Sequence, residues 1–328
     1  MRTFLIVIVF LLIFSPFSFA GSQGFPANLY SYYLKGLFHL QKGEFENGLD
    51  QLEKAKRKDP ESVHTRLKMA TVLVRLGRTD EAEKILLEAK KIDPENLEIS
   101  LALIFIYSYS KKDKELEKEY EYLLTKAHEL KPEDIGISEY LGQFYFFKEH
   151  QSQAIDIYEK IIEQKPDYVD AYFWLGYFYS ETSKVEKAID TWKKGLAINP
   201  EHAPILNSLG YTYAEQGLKL DEAEGMIKKA LSIEPQNGAY LDSLGWVYYK
   251  KGDLAKALKY LQEAITFVKD PDIYAHLGDV FLKIGDKAKA IEFYKKGIED
   301  FPESQDLKLR LEEHDATDTG PKKESNFN

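Results

Sequence analysis

Prolines recur along this chain at Pro26, Pro60, Pro94, Pro132, Pro166, Pro200 and Pro235, with separations of 34, 34, 38, 34, 34 and 35 residues. A second marker keeps step with the first: Gly36, Ala70, Ile104, Gly142, Gly176, Gly210, Gly245 and Gly278. Two markers with one period confine the chain to a repeat architecture. A unit of this length is one supersecondary element that buries its apolar face only by stacking on its neighbours. A single core spanning all 328 residues would stand near the size at which cores stop growing, whereas a stacked array meets no such limit.

Each unit reads as two helices. Asp59-Pro60-Glu61, Asp93-Pro94-Glu95 and Asn199-Pro200-Glu201 are expected to open first helices, with the polar side chain as a cap and proline in the first turn. Gly43, Gly77, Gly252 and Gly285 are expected to close them, since glycine accepts the left-handed conformation of a helix C-terminus. Gly210, Gly245 and Gly278 in the first helices and Ala223, Ala257 and Ala290 in the second let the two helices approach closely. A glycine inside a helix costs about 1 kcal/mol against alanine. Its recurrence at one register makes sense where close packing offsets that cost.

Repeat five carries Tyr172, Leu175-Gly176, Tyr179, Ala188, Trp192, Gly195 and Pro200, and repeat eight carries Tyr274, Leu277-Gly278, Phe281, Ala290, Tyr294, Gly297 and Pro302. In this pattern the chain resembles the tetratricopeptide repeat family over about residues 27–302. The resemblance implies an all-α fold, a right-handed superhelical solenoid of about eight helix-turn-helix repeats. The register places them near 27–60, 61–94, 95–132, 133–166, 167–200, 201–235, 236–269 and 270–302. A capping helix is expected over 303–314, where Leu307, Leu309 and Leu311 stand among charges, and a disordered polar tail over 315–328. The stretches Leu206–Tyr213 and Leu241–Tyr249 are also similar to a group of exported bacterial repeat proteins.

Three departures interrupt the period. Repeat three has Ile104 in place of glycine, Tyr120 where alanine is expected, and four additional residues before Pro132, close to one helical turn. Repeat six has one additional residue, expected in the turn around Gly217-Leu218-Lys219. Pro271 stands nearer its first helix than the other prolines do.

The N-terminus reads as an export address. Met1-Arg2 precedes an apolar run from Phe4 to Phe14, and Ser18-Phe19-Ala20 presents small residues for cleavage after Ala20. The alternative is an uncleaved anchor, but the uninterrupted run is shorter than the roughly 20 residues that cross a bilayer. The expected product is therefore periplasmic or secreted, without stable membrane insertion once residues 1–20 are removed. The absence of cysteine excludes a lipoprotein tether, disulfides and thiolate chemistry. The seven histidines include no pair at three- or four-residue spacing, and no phosphate-binding glycine loop or nucleophile elbow is present. No enzyme, cofactor or metal site is expected. A formal net charge of −10 with dispersed basic residues argues against nucleic acid.

The resemblance implies an inner wall lined by the first helices. Its expected partner-binding residues are Tyr33, Phe105, Tyr109, Phe146, Phe147, Phe173, Tyr177, Tyr211, Trp246 and Tyr249, with the acids Glu139, Asp170, Glu181, Glu215 and Asp242. Tyr145, Tyr179, Tyr213 and Tyr248 are expected in the core instead. Aromatic anchors beside carboxylates suit protein or peptide partners that carry apolar and basic residues. The same wall also suits a polysaccharide or glycan chain, the alternative reading. Repeats that clamp C-terminal carboxylates place Lys and Asn at defined inner positions, which hold Tyr33, Leu67, Glu139, Phe173, Asp242 and Ala275 here, with Leu37, Thr71, Gln143 and Tyr177 in the Asn register, and this argues against that mode. The expected function is a non-catalytic scaffold or adaptor of the bacterial cell envelope.

Overall fold

The structure, a computed structural model, describes residues 27–315, with side chains from 31 to 314. The segments expected to be an export address and a polar tail lie outside the described residues, apart from Asp315. Among the described residues the chain is helical throughout, with no strand. The helices are α1 (Ala27–Gln41), α2 (Phe45–Lys58), α3 (Val63–Arg75), α4 (Thr79–Ile92), α5 (Leu97–Ser110), α6 (Asp113–Leu130), α7 (Ile135–Phe147), α8 (Gln151–Gln164) and α9 (Val169–Glu181). They continue as α10 (Val185–Ile198), α11 (Ala203–Glu215), α12 (Leu220–Ile233), α13 (Gly238–Lys251), α14 (Leu254–Phe267), α15 (Pro271–Ile284), α16 (Lys287–Asp300) and α17 (Gln305–Asp315).

The chain divides into two units, one up to Phe144 and one from Tyr145. In the first unit each helix from α1 to α5 packs on its successor. In the second, α8 to α17 do the same, and the odd helices α9, α11, α13 and α15 also touch one another in sequence. Odd helices of the second unit therefore stand side by side, so their exposed side chains form a continuous wall.

The helix ends follow from local chemistry. Gly43, Gly77, Gly252 and Gly285 all have φ between +73° and +95°. The equivalent turns after α5, α7 and α9 are made by Lys111, Glu149 and Ser183, at φ of +56°, +61° and +59°. In these an L side chain tolerates a backbone that glycine adopts freely. The additional residue of repeat six lies in the α11–α12 turn, where Gly217 and Lys219 both have positive φ. Pro271 is the first residue of α15, behind the capping carboxylate of Asp270.

The Asp-Pro-Glu pieces play a different part from the one expected. Asp59, Asp93 and Asn199 close the preceding helices, and Pro60, Pro94 and Pro200 lie in the turns. The first helices begin three residues after these prolines, capped by Ser62, Asn96 and His202. Asp59 and Asn199 still accept backbone amides, from Glu61 and Glu201 at 3.3 and 3.0 Å, but within the turn.

Repeat three also needs correction. α6 begins nine residues after Ile104, as α4 begins nine after Ala70 and α10 nine after Gly176. The four additional residues therefore lengthen the far end of α6, which has 18 residues where α4 and α10 have 14. Leu116, not Tyr120, takes the place of the small residue opposite Ile104. Tyr120 occupies the aromatic register of Trp192 and Tyr294, and its ring lies 5.6 Å from that of Phe144.

The close approach within the other pairs is sterically strict. A Cβ on Gly176 would lie 2.2 Å from the indole nitrogen of Trp192, and one on Gly278 would lie 2.1 Å from the ring of Tyr294. Tyr145, Tyr179, Tyr213 and Tyr248 are buried. Leu307 of α17 is fully buried against the last pair, while Leu309 is exposed. Gly278→Ala should destabilise the chain by about 1–3 kcal/mol despite alanine's better helix propensity. Ser183→Gly should stabilise it by up to about 1 kcal/mol by relieving the left-handed backbone. Urea unfolding measures both, and an unchanged midpoint for Gly278→Ala would refute the steric account.

Candidate functional site

The aromatic side chains of the second unit form two clusters. In the first, the end of α7 meets α9. Phe146 stacks on Phe178 with centroids 4.2 Å apart and planes 14° from parallel, and its ring lies 5.6 Å from Tyr177. Phe147 stands 6.0 Å from Phe146 and is 60% exposed. Trp174 continues the series, 6.1 Å from Tyr177 and 5.2 Å from Phe173, which approaches the imidazole of His202 at 6.2 Å. Phe146, Phe173, Trp174 and Tyr177 are half-buried. Asp170 and Glu181 are exposed near the two ends of α9, which has no basic side chain. Asp170 also meets His202 at 2.9 Å. Burial, with Glu181 adding to it, raises the Tyr177 phenol above its ordinary value, so it remains a neutral donor.

The second cluster is built by α11, α13 and α15. Trp246 is sandwiched between Tyr249, at 4.5 Å and 11°, and His276, at 4.0 Å and 20°. Its indole N–H donates to the Glu215 carboxylate. Lys250 lies 5.0 Å from the Trp246 ring centroid and 3.7 Å from Glu215, while Lys283 lies 4.2 Å from the Tyr249 centroid. Asp242 and His276 meet at 2.9 Å and are both buried. Tyr211 lies 6.5 Å from His276 and is half-buried. Trp246, one of the expected partner-binding residues, is therefore largely enclosed within the array. The indole is 7% exposed because the next repeat supplies His276 to cover it.

The residues expected in the first unit do not gather into one site. Tyr33 packs its ring 5.5 Å from His64 and against the core, and burial pushes its hydroxyl up to about 12. Phe105 and Tyr109, one turn apart on α5, are 43% and 76% exposed. Glu139 is half-buried on α7. The expected acidity is also uneven, since α1 and α3 contain no aspartate or glutamate. Reading the motifs alone missed Trp174, His202 and His276. For the two histidines the signal was a spacing of about one repeat from an acid, 32 residues for Asp170–His202 and 34 for Asp242–His276.

Among the described residues no group of three His, Asp or Glu side chains could hold a metal ion. The Asp242–His276 pair instead has an electrostatic consequence. Burial opposes charge on His276, but Asp242, its hydrogen bond, and the carboxylates of Asp272 and Asp279 outweigh it and raise the imidazole above its ordinary value. A raised folded-state value stabilises the fold fully below the unfolded value of about 6.5 and is lost as pH rises through the folded one. Urea unfolding free energy should therefore decline as pH climbs above about 6.5. His276→Gln should remove that part of the slope, and a slope identical to the parent's would refute the assignment.

Three family models, each described as tetratricopeptide repeat, match the chain, over residues 39–104, 157–190 and 208–311. No curated protein matches it in sequence. Among solved structures, a thermophilic tetratricopeptide protein of Thermus thermophilus is similar with a TM-score of 0.51 at 21% identity, covering 56% of this chain and 99% of that one. The APC/C hetero-tetramer Cut9–Hcn1 is similar with a TM-score of 0.55 at 16% identity, covering 88% of this chain and 54% of that one. At these identities the likeness is one of fold.

Proposed function

Because the chain belongs to the tetratricopeptide repeat family, whose repeats generally mediate protein–protein interaction, we propose that it is a non-catalytic scaffold or adaptor that holds partner peptides or helices against its first helices. The observation that carries this reading is the aromatic ladder on α9 and the end of α7. Phe147, Tyr177, Trp174 and Phe173 stay partly open to solvent there, beside Asp170 and Glu181 and with no basic side chain on α9. A segment with apolar residues and Lys or Arg would gain ring burial, cation–π contact and charge complementarity together.

A labelled peptide alternating Leu and Lys should bind the whole chain, and less tightly as salt rises. Tyr177→Ala/Trp174→Ala should weaken it at least about tenfold, since exposed aromatic anchors dominate such interfaces. Unchanged affinity in that variant would move the site off the ladder. Salt-independent binding of a neutral glycan, with no peptide binding, would replace the reading with the carbohydrate one.

The address in residues 1–20 supports work in the cell envelope, in the periplasm or outside the cell. Expression in a bacterium should yield soluble periplasmic or secreted protein whose N-terminal sequence starts at Gly21. A membrane-bound chain that retains Met1 would refute cleavage.

A further inference from the structure

The first two odd helices carry a charge opposite to that of the ladder. α1 and α3 have no carboxylate side chain but contribute Lys35, Arg66, Lys68 and Arg75. Arg66 is spoken for: it is buried, 3.7 Å from Glu88, and donates to the Ser62 carbonyl at 3.1 Å. Lys68 and Arg75 have no carboxylate partner among the described residues. No aspartate or glutamate lines the cavity that they share.

These two free cations line a cavity. It lies between α1, the start of α2 and α3, has a volume of about 280 Å³, and has apolar walls of Leu37, Leu40, Phe45 and Val72. Arg75 is exposed, with its guanidinium 5.6 Å from the Phe45 ring centroid, and Lys68 is half-buried. The volume falls below the roughly 300–1,000 Å³ of small-molecule sites. It suits a single Leu or Phe side chain, and the two cations suit carboxylates on either side of it. Arg75, with its planar fork of donors, can take a carboxylate through two parallel hydrogen bonds.

We propose that this cavity is a second docking site, distinct from the ladder on α9, and that its occupant is an acidic peptide segment. One Leu or Phe of the segment enters the cavity, and flanking Asp or Glu side chains meet Lys68 and Arg75. The base-free α9 repels such a segment, and the acid-free α1 and α3 repel the lysine-bearing one suited to α9. The two units then sort partners by sign.

Fluorescence anisotropy of the whole chain tests this with a labelled decapeptide of Asp and Glu around one central Phe. The peptide should bind, and replacing its Phe by Ala should weaken binding about tenfold, as expected for a lost anchor. Lys68→Glu/Arg75→Glu should abolish binding, and Lys68→Gln/Arg75→Gln should weaken it with an unchanged circular dichroism spectrum. Tyr177→Ala/Trp174→Ala should leave it unaltered, so this site and the ladder succeed or fail separately. Full affinity in the glutamine variant, or equal affinity for the Ala peptide, would overturn the proposal. Displacement of the peptide by octanoate at matching concentration would also overturn it, making the cavity a site for a small amphiphilic carboxylate.

Discussion

The indole nitrogen of Trp192 lies 2.2 Å from where a Cβ on Gly176 would stand, and the Tyr294 ring approaches Gly278 in the same way at 2.1 Å. Glycine here is the condition for seating a large ring between two helices, and the ring supplies apolar burial that offsets the poor helix propensity. Each ring is also held by its polar atom. Trp192 donates to the Phe173 carbonyl at 3.1 Å, and Tyr294 donates to Asp279 at 2.8 Å. The bonds reach the parts of α9 and α15 that face neighbouring repeats. The packing that closes a helix pair therefore also sets the position of the residues available for recognition.

Contacts within a pair were legible because both partners fall inside one period. Gly176 and Trp192, or Gly278 and Tyr294, are sixteen residues apart, and small residues alternating with large ones reveal them without coordinates. Contacts between repeats were not legible in the same way. Trp246 reads as a surface anchor on α13, and only the arrival of His276 from α15 buries it. Asp242 likewise reads as a groove acid until its partner, one repeat later, draws it into a buried pair. Repeat three failed for another reason. Proline spacing counts four additional residues but cannot say at which end of a helix they fall, so Tyr120 was assigned the register that Leu116 holds.

Net charge concealed the distribution of charge. The total of −10 describes solubility well, but recognition acts over a few ångströms and screening removes more distant charges. At that range α9, with Asp170 and Glu181 and no base, differs in sign from α3, with Lys68, Arg75 and no acid. Neither surface is visible in the average. The engaged groups lie on both helices, since Arg66 of α3 meets Glu88 and Asp170 of α9 meets His202, and what remains is Lys68 and Arg75 on the one and exposed Glu181 on the other.

One register position illustrates how such an array acquires different surfaces without altering its pairs. The residue that follows the small one in each first helix, or Ile104 in repeat three, is Leu37, Thr71, Phe105, Gln143, Tyr177, Tyr211, Trp246 and Asp279 in turn. One residue further along a helix is a rotation of about 100° from the pair seam, so this side chain points towards neighbouring repeats or solvent. Leu37 and Thr71 both line the cavity of the first unit. Tyr177 belongs to the exposed ladder, Trp246 to a buried sandwich, and Asp279 binds Arg310 of α17. Steric demand fixes the small residue because a large side chain of the partner helix presses on it, Leu52, Trp192, Ile227, Leu261 or Tyr294 according to the repeat, while the residue after it lies off that seam. A repeat pattern can therefore identify the helix pairs across most of this chain and still leave ligand choice to the one position that the pairing does not constrain.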